Sequence, residues 1–363
     1  MLTEASWLIA TAVLVASVSF ILVAYALRLG LRLGMVDTPR PGEIQRAIIP
    51  RTGGYAMLAA IWMGVGLSFI LRPADVYLSN QDTLKLLGIL AGSVLIIPLA
   101  ALDDRRRLGP MPQLISQITI ATIPVLCGLR FGSLASPFGP AIALPEWLDG
   151  PLTVLWIVGM INAMNLVDVM DGLAGGIAAM AAVVLFIRSL WFDQISIAVF
   201  PLILAAAAAG FLPHNFHPAK IFMGTCGSVL LGYWLATMSV IGGAKVGTAF
   251  VVLAVPILDT AWVIGRRILR GRSPFQGGDM EHLPQRIHGL GLSQLSTVLV
   301  LYVISGVFGA LSLNLHSPAE GPGPEKALLL LGIIAVMAGV LGSVTFMSLR
   351  AQRRRQASGR VSP

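Results

Sequence analysis

The chain has 363 residues, of which 56% are hydrophobic and only 12% charged, with a formal net charge of +8; an ordinary globular domain carries about 25% charged residues. That composition excludes a soluble globular protein and indicates one polytopic membrane bundle, where length alone would suggest two soluble domains. Two cysteines, Cys127 and Cys226, both in or beside apolar segments, exclude a disulfide framework and a cysteine-spaced zinc site.

Eleven apolar runs are long enough to be spans, which need roughly 17 to 25 mostly apolar residues. In chain order they cover 7–27, 55–71, 85–102, 113–129, 150–164, 173–191, 196–212, 222–242, 246–264, 295–315 and 327–349. The first follows Met-Leu-Thr-Glu with no basic leader region and no A-x-A site, and reads as a retained anchor. The expected fold is therefore all-α: a polytopic membrane helical bundle of about eleven helices. Residues 1–349 form a single integral-membrane domain, and 350–363 form a basic tail.

Lysine and arginine set the expected orientation. With the N-terminus outside, the inner loops and the tail hold 19 of the 25 basic residues. Arg72, Lys85, Arg130, Arg188, Lys245 and Lys326 lie outside. The positive-inside rule selects this arrangement and places the C-terminus in the cytoplasm. The net charge is thus an orientation signal with contacts to membrane lipid, and no nucleic-acid partner is expected.

Polar residues gather at one face of this topology. Asp103-Asp104 close the third span; Asn162, Asn165, Asp168 and Asp171 close the fifth, in NAMNLVDVMDGLAGG. His214, Asn215 and His217 precede the eighth span, and Asp279, Glu281 and His282 lie in the largest inner loop. Acids at a membrane end need water, a metal or a ligand. Paired carboxylates hold a hard cation or leave one of the pair to act as a base, and Mg²⁺ characteristically takes one or two carboxylates plus substrate phosphates. Asp168 and Asp171 share a face if their segment is helical; alternatively Asp171-Gly172 is a turn, with Gly172, Gly175 and Gly176 permitting close backbone approach. Arg105–Arg107 and Arg266, Arg267, Arg270 and Arg272 serve either as phosphate neutralisers or as topology anchors. These features fit transfer of a phosphorylated group to a lipid carrier and also an ion-coupled transporter. The strongest residue for the transporter is Asp259 in the ninth span, which would equally well cap a neighbouring helix. Small-residue runs such as GIAAMAA and LAAAAAG suit close helix packing within the bundle or a homodimer.

Five segments, in order, resemble the polyprenyl-phosphate N-acetylhexosamine-1-phosphate transferases. VDTPRPGEIQRAIIPRTGG resembles the family's first inner loop, and LDDRRRLGPMPQLISQ its DD motif. LPEWLDGPLTVLWIVGMINAMNLVDVMDGLAGG resembles the central acidic motif with its approach. NFHPAKIFMGTCGSVLLGY resembles the segment usually ending F-M-G-D-x-G-S, and PILDTAWVIGRRILRGRSPFQGGDMEHLPQRI the loop that usually carries D-x-x-H-x-H-H-R-L. The resemblance implies transfer of a sugar 1-phosphate from a UDP-sugar to polyprenyl phosphate, with UMP leaving, at the cytoplasmic side of a bacterial plasma membrane. It assigns Asp103, Asp104, Asp168 and Asp171 to catalysis and Asp104 and Asp171 to Mg²⁺, with Mn²⁺ as an alternative. It assigns Asn162, Asn165, Asn215, His282, Arg267 and Asp279 to substrate binding, and makes Lys220 a plausible phosphate contact.

The departures fall on charged positions. The first loop has Gly42, Glu43 and Gln45 in place of Arg-Lys-x-His. Gln113 replaces a Lys, Val169 a Gly, and Thr225 the carboxylate of F-M-G-D. Of H-x-H-H only His282 remains, followed by Leu283, Pro284 and Gln285. Thr225 cannot supply an anionic ligand, and each neutralised group weakens stabilisation of phosphoryl charge. Two expectations therefore stand side by side: a divergent transferase, and a degenerate homologue that binds lipid phosphate or nucleotide sugar without turnover.

Overall fold

The computed structural model describes residues 2–38, 48–106, 108–134, 142–242, 246–273, 282–314 and 324–357. Each of the eleven apolar runs becomes helix. The long ones are α1 (Leu2–Leu33), α2 (Gly53–Leu71), α3 (Asn80–Arg106), α4 (Pro110–Leu126), α5 (Glu146–Val167), α6 (Leu173–Trp191), α7 (Ile195–Asn215) and α8 (Gly224–Val240). They are followed by α9 (Val246–Val252), α10 (Ala254–Leu269), the short α11 (Leu283–Gly289), α12 (Gln294–Asn314) and α13 (Pro324–Ala357).

Among the described residues, eight of these helices are long and apolar enough to cross a membrane, and the α9–α10 pair makes a ninth if it is one span. That pair bends by 76° at Leu253. Pro256, which has no N–H to give, sits in the first turn of α10. The remaining two runs, α4 and α8, are helices of 17 residues each. α13 runs unbroken to Ala357, so the basic stretch after Leu349 continues the last helix. Among the described residues, the all-α expectation is qualified by two short antiparallel ribbons: Val36–Asp37 with Ile49–Pro50, and Ser133–Leu134 with Ile142–Ala143.

α8 is the axis of the bundle. It packs against α2, α3, α5, α6, α7 and α9, and every residue in it except Thr225 is buried. A helix that is apolar all round is a core helix; the single residue left accessible marks where the core opens. The peripheral helices turn apolar side chains outward, as a lipid-facing surface does: Ile70 is 79% exposed, Leu126 78% and Val303 66%.

Candidate active site

The site is assembled by two chain crossings. In the first, the 50–54 segment is zipped to residues 222–223: Phe222 N–H donates to the Pro50 carbonyl (2.8 Å), while Gly53 and Gly54 N–H donate to the carbonyls of Phe222 and Met223 (both 3.0 Å). These bonds satisfy the orphan amides that open α2. They require a glycine at 54, because a Cβ there would lie 2.1 Å from the Gly227 nitrogen. The crossing delivers Arg51 and Thr225 to the last turn of α3, where Asp103 and Asp104 stand.

Asp103 is buried and saturated. Its Oδ1 accepts the Leu108 amide and the Gln113 side-chain amide, both at 2.9 Å, and its Oδ2 accepts the Thr225 hydroxyl at 2.7 Å. The side chains of the two residues that stand where the family pattern has Lys and Asp therefore both donate to this one carboxylate. Asp104 differs. Its Oδ1 takes the Thr225 amide at 3.2 Å and lies 3.8 Å from Arg51 Nε. Among the described residues, its buried Oδ2 and the nearby Tyr55 hydroxyl each lack a hydrogen-bond partner of ordinary geometry.

The second crossing joins the end of α5 to residues 215–221. Asp168 caps α5, and the chain bends through Val169 and Met170 into a turn at Asp171-Gly172, with Gly172 left-handed (φ 79°). The segment is the turn of the two alternatives, so the acids do not share a helix face. Asp171 Oδ2 accepts the Ala219 amide (3.1 Å) and pairs with His217 Nδ1 (2.8 Å). Asn215 ties the crossing together: its Oδ1 takes the Gly172 amide (3.0 Å) and its Nδ2 donates to the Ile221 carbonyl (2.9 Å). Both its polar atoms are engaged within the protein, where they brace the turn.

Asp168 is the uncommitted acid. It is partly buried, and no hydrogen bond to its carboxylate occurs among the described residues. Loss of water on burial pushes its carboxyl up to about 7, with the nearby Asp171 charge adding to the rise and Arg51 opposing it. Arg51 thus acts on Asp104 and Asp168 together.

Next to these acids a pocket opens between α3, α4, α5 and α8. It is lined at its polar mouth by Asp103, Gln113, Gln117, Asn165 and Thr225. Asn165 Oδ1 accepts the Ser228 hydroxyl (2.9 Å), and Asn162 Nδ2 donates to Gln117 Oε1 (2.5 Å) and the Val158 carbonyl (2.8 Å). Asn165 reaches the pocket, whereas Asn162 is turned to its neighbours.

Asp259 lies elsewhere, with a structural task. Its Oδ1 accepts the Leu283 amide that opens α11, and its Oδ2 pairs with His282 Nδ1, both at 2.9 Å. It caps a helix and orients His282, so its contacts are those of the helix cap weighed for it from the sequence. His282 and Arg267 are both buried, at 4% and 6% exposure. Arg267 keeps its contacts inside the protein, whereas Lys220 is exposed. Pro284 opens α11, and Gln285 Oε1 is buried without a partner. Asp279, Glu281, Gly42, Glu43 and Gln45 lie outside the described residues.

Among the described residues no three His, Cys, Asp or Glu side chains converge as a ready cation cage. The free Oδ2 of Asp104 is the kind of hard oxygen that Mg²⁺ seeks, and Mg²⁺ habitually completes its shell from phosphate and water. The donor set therefore suits a cation that arrives with its substrate.

Sequence reasoning did not single out Arg51 or foresee that Thr225 and Gln113 meet on Asp103. The signal for Arg51 was available, as the one charge next to the Gly53-Gly54 pair.

The model of glycosyl transferase family 4 matches residues 86–243. A Bacillus subtilis protein named "Probable undecaprenyl-phosphate N-acetylglucosaminyl 1-phosphate transferase" is 33% identical over 88% of this chain and 86% of its own length. The decaprenyl-phosphate N-acetylglucosaminephosphotransferase of Mycobacterium tuberculosis is 33% identical over 85% of this chain and 81% of its own. The undecaprenyl-phosphate alpha-N-acetylglucosaminyl 1-phosphate transferase of Salmonella typhimurium is 28% identical over 81% and 80%. At that identity and coverage, the chain belongs to glycosyl transferase family 4, among the polyprenyl-phosphate N-acetylhexosamine-1-phosphate transferases.

Proposed function

We propose that this protein moves the sugar 1-phosphate of a UDP-N-acetylhexosamine onto polyprenyl phosphate and releases UMP, at the cytoplasmic face of a bacterial plasma membrane, in cell-envelope polysaccharide synthesis. A phosphate oxygen of the lipid attacks the β-phosphorus of the UDP-sugar. The bond from that phosphorus to the bridging oxygen breaks, and UMP carries the oxygen away. The product is a polyprenyl diphosphate sugar.

One observation carries the reading: Asp168 offers a carboxylate that makes no hydrogen bond among the described residues, pushed up to about 7, in the field of the same Arg51 that flanks Asp104. A base poised near the working pH combines the correct protonation state with driving force. Phosphate monoesters lose their second proton near pH 6, so Asp168 is matched to accept the last proton of the lipid phosphate. Arg51 brings positive charge to the diphosphate. A Mg²⁺ or Mn²⁺ ion held by Asp104 and Asp171 would neutralise charge on the leaving nucleotide. Asn165 and the pocket beside it suit the substrate's polar groups.

The degenerate reading has one observation in its favour, the saturation of Asp103 by Thr225 and Gln113. Those bonds also hold the acid pair in place, which supports an intact site working with Asp103 as its anchor. The test is UMP release by purified protein given Mg²⁺, polyprenyl phosphate and a panel of UDP-sugars. Turnover that Asp168→Asn and Asp104→Asn both abolish fits the proposal. Binding of nucleotide sugar without release fits the degenerate homologue.

A further inference from the structure

Tyr302 lies on α12, outside the five motif segments and outside residues 86–243 of the family-model match. Its hydroxyl donates to the Gly172 carbonyl at 2.6 Å. That carbonyl already accepts the Gly176 amide at 2.9 Å, and the Gly172 amide is held from the other side by Asn215 at 3.0 Å. Gly172 is thus gripped at both its polar atoms, by α7 and by α12.

The fit around the hydroxyl is close. A Cβ on Gly176 would fall 1.9 Å from the Tyr302 oxygen, so Gly176 leaves room for this ring. Phe216 meets Tyr302 edge-on at 6.3 Å and would sit 3.2 Å from a Cβ on Gly172. The glycines of the acidic motif therefore receive a side chain from a helix that carries none of the chemistry.

The turn they build bears two acids of like charge. Asp171 adds to the rise in Asp168's carboxyl, so the two carboxylates repel when both are ionised. Asn215 and Tyr302 brace that turn from its two sides.

Resting on the transferase reading above, we propose that Tyr302 is a positioning residue for the Asp168–Asp171 turn. Through the Gly172 carbonyl it holds the two carboxylates at the spacing that receives the donor's diphosphate with its cation. The same bond ties the turn to α12, which starts at Gln294 soon after the His282-bearing loop.

Tyr302→Phe tests the hydroxyl alone, since it keeps the ring, the contact with Phe216 and the space over Gly176. Gly176→Ala tests the same bond from the other side by displacing the hydroxyl. The readouts are the KM for UDP-sugar, the KM for polyprenyl phosphate, kcat, and equilibrium binding of UDP with and without Mg²⁺. Loss of one such bond at the turn is expected to raise the UDP-sugar KM and to weaken Mg²⁺-dependent UDP binding, each about tenfold. The polyprenyl-phosphate KM is expected to stay within twofold. A merely structural role would lower kcat through a misfolded fraction and leave both KM values in place.

A UDP-sugar KM and UDP affinity unchanged in Tyr302→Phe overturn the proposal, as does an effect confined to the lipid substrate. If the wild type binds UDP with Mg²⁺ but releases no UMP, the transferase reading fails, and the binding comparison still decides the role of Tyr302. If it neither binds nor turns over, both fall.

Discussion

The most informative single change is Thr225→Asp, which installs the acid that the F-M-G-D pattern would place there. In the present chain the Thr225 hydroxyl lies 2.7 Å from Asp103 Oδ2, and its amide lies 3.2 Å from Asp104 Oδ1. A carboxylate there would stand roughly 4 Å from two others. At an effective dielectric constant near 20, each like-charge pair costs about 4 kcal/mol, and the lost hydroxyl bond to a charged acceptor adds about 1.5–3 kcal/mol. Arg51, 3.8 Å from Asp104, offsets part of this, and uptake of a proton relieves more. The net penalty without metal is therefore several kcal/mol. Three facing carboxylates also make the cation cage absent among the described residues. A cation at a hundred times its Kd returns about 2.7 kcal/mol. In detergent, tryptophan fluorescence should show Thr225→Asp melting well below the wild type in EDTA and recovering most of the loss in millimolar Mg²⁺, while the wild type shifts little. Equal melting in EDTA, or a wild type that gains as much from Mg²⁺ as the variant, would refute this view of the Asp103–Thr225 contact.

Asp168→Asn should separate stability from activity. The folded-state carboxyl is raised from 3.8 to about 7, so the folded protein holds the proton more tightly, and stability falls as pH rises between those values. Three units correspond to about 4 kcal/mol at most, and partial exposure cuts this to about 2 kcal/mol. The variant should denature later than wild type at pH 8, match it near pH 4, and release no UMP. Gly54→Ala, with its new Cβ 2.1 Å from the Gly227 nitrogen, should cost about 3 kcal/mol because backbone must move, seen as a lowered Tm; a neutral result would show that α2 and α8 separate easily. Asp259→Asn leaves too few acceptors for both the Leu283 amide and His282. Trypsin should then cut sooner after the buried Arg286; an unchanged cleavage rate would show that α11 holds without its cap.

What the sequence made legible was the part written in local pattern. Apolar runs longer than a bilayer needs can only be helices, so the bundle followed from composition. The acid pair at Asp103-Asp104 was conspicuous because charge at a span end is expensive. Asp259 was readable in both its roles, and the helix cap is the one it fills. Distant contacts escaped because no local pattern encodes them. Thr225 reads as a lost metal ligand until it is seen to donate across the fold to Asp103, 122 positions away. Nothing local announces that both polar atoms of Asn215 brace the turn at Gly172. Tyr302 has no sequence signal beyond the glycine at 176, whose purpose shows only when the ring is in place. The turn at Asp171-Gly172 was one of two readings, and the left-handed conformation of Gly172 decides it.

The central claim is transfer of phosphorus together with the sugar, and a label reports on it directly. Purified protein would be given polyprenyl phosphate, Mg²⁺ and a UDP-N-acetylhexosamine carrying ³²P at the β-phosphate, and the label followed into organic solvent. Label should enter the lipid phase in step with UMP release, and Asp168→Asn should leave it in the aqueous phase. Label remaining in aqueous UDP while the sugar moves, or no transfer from any UDP-N-acetylhexosamine by protein that binds the nucleotide, would contradict it.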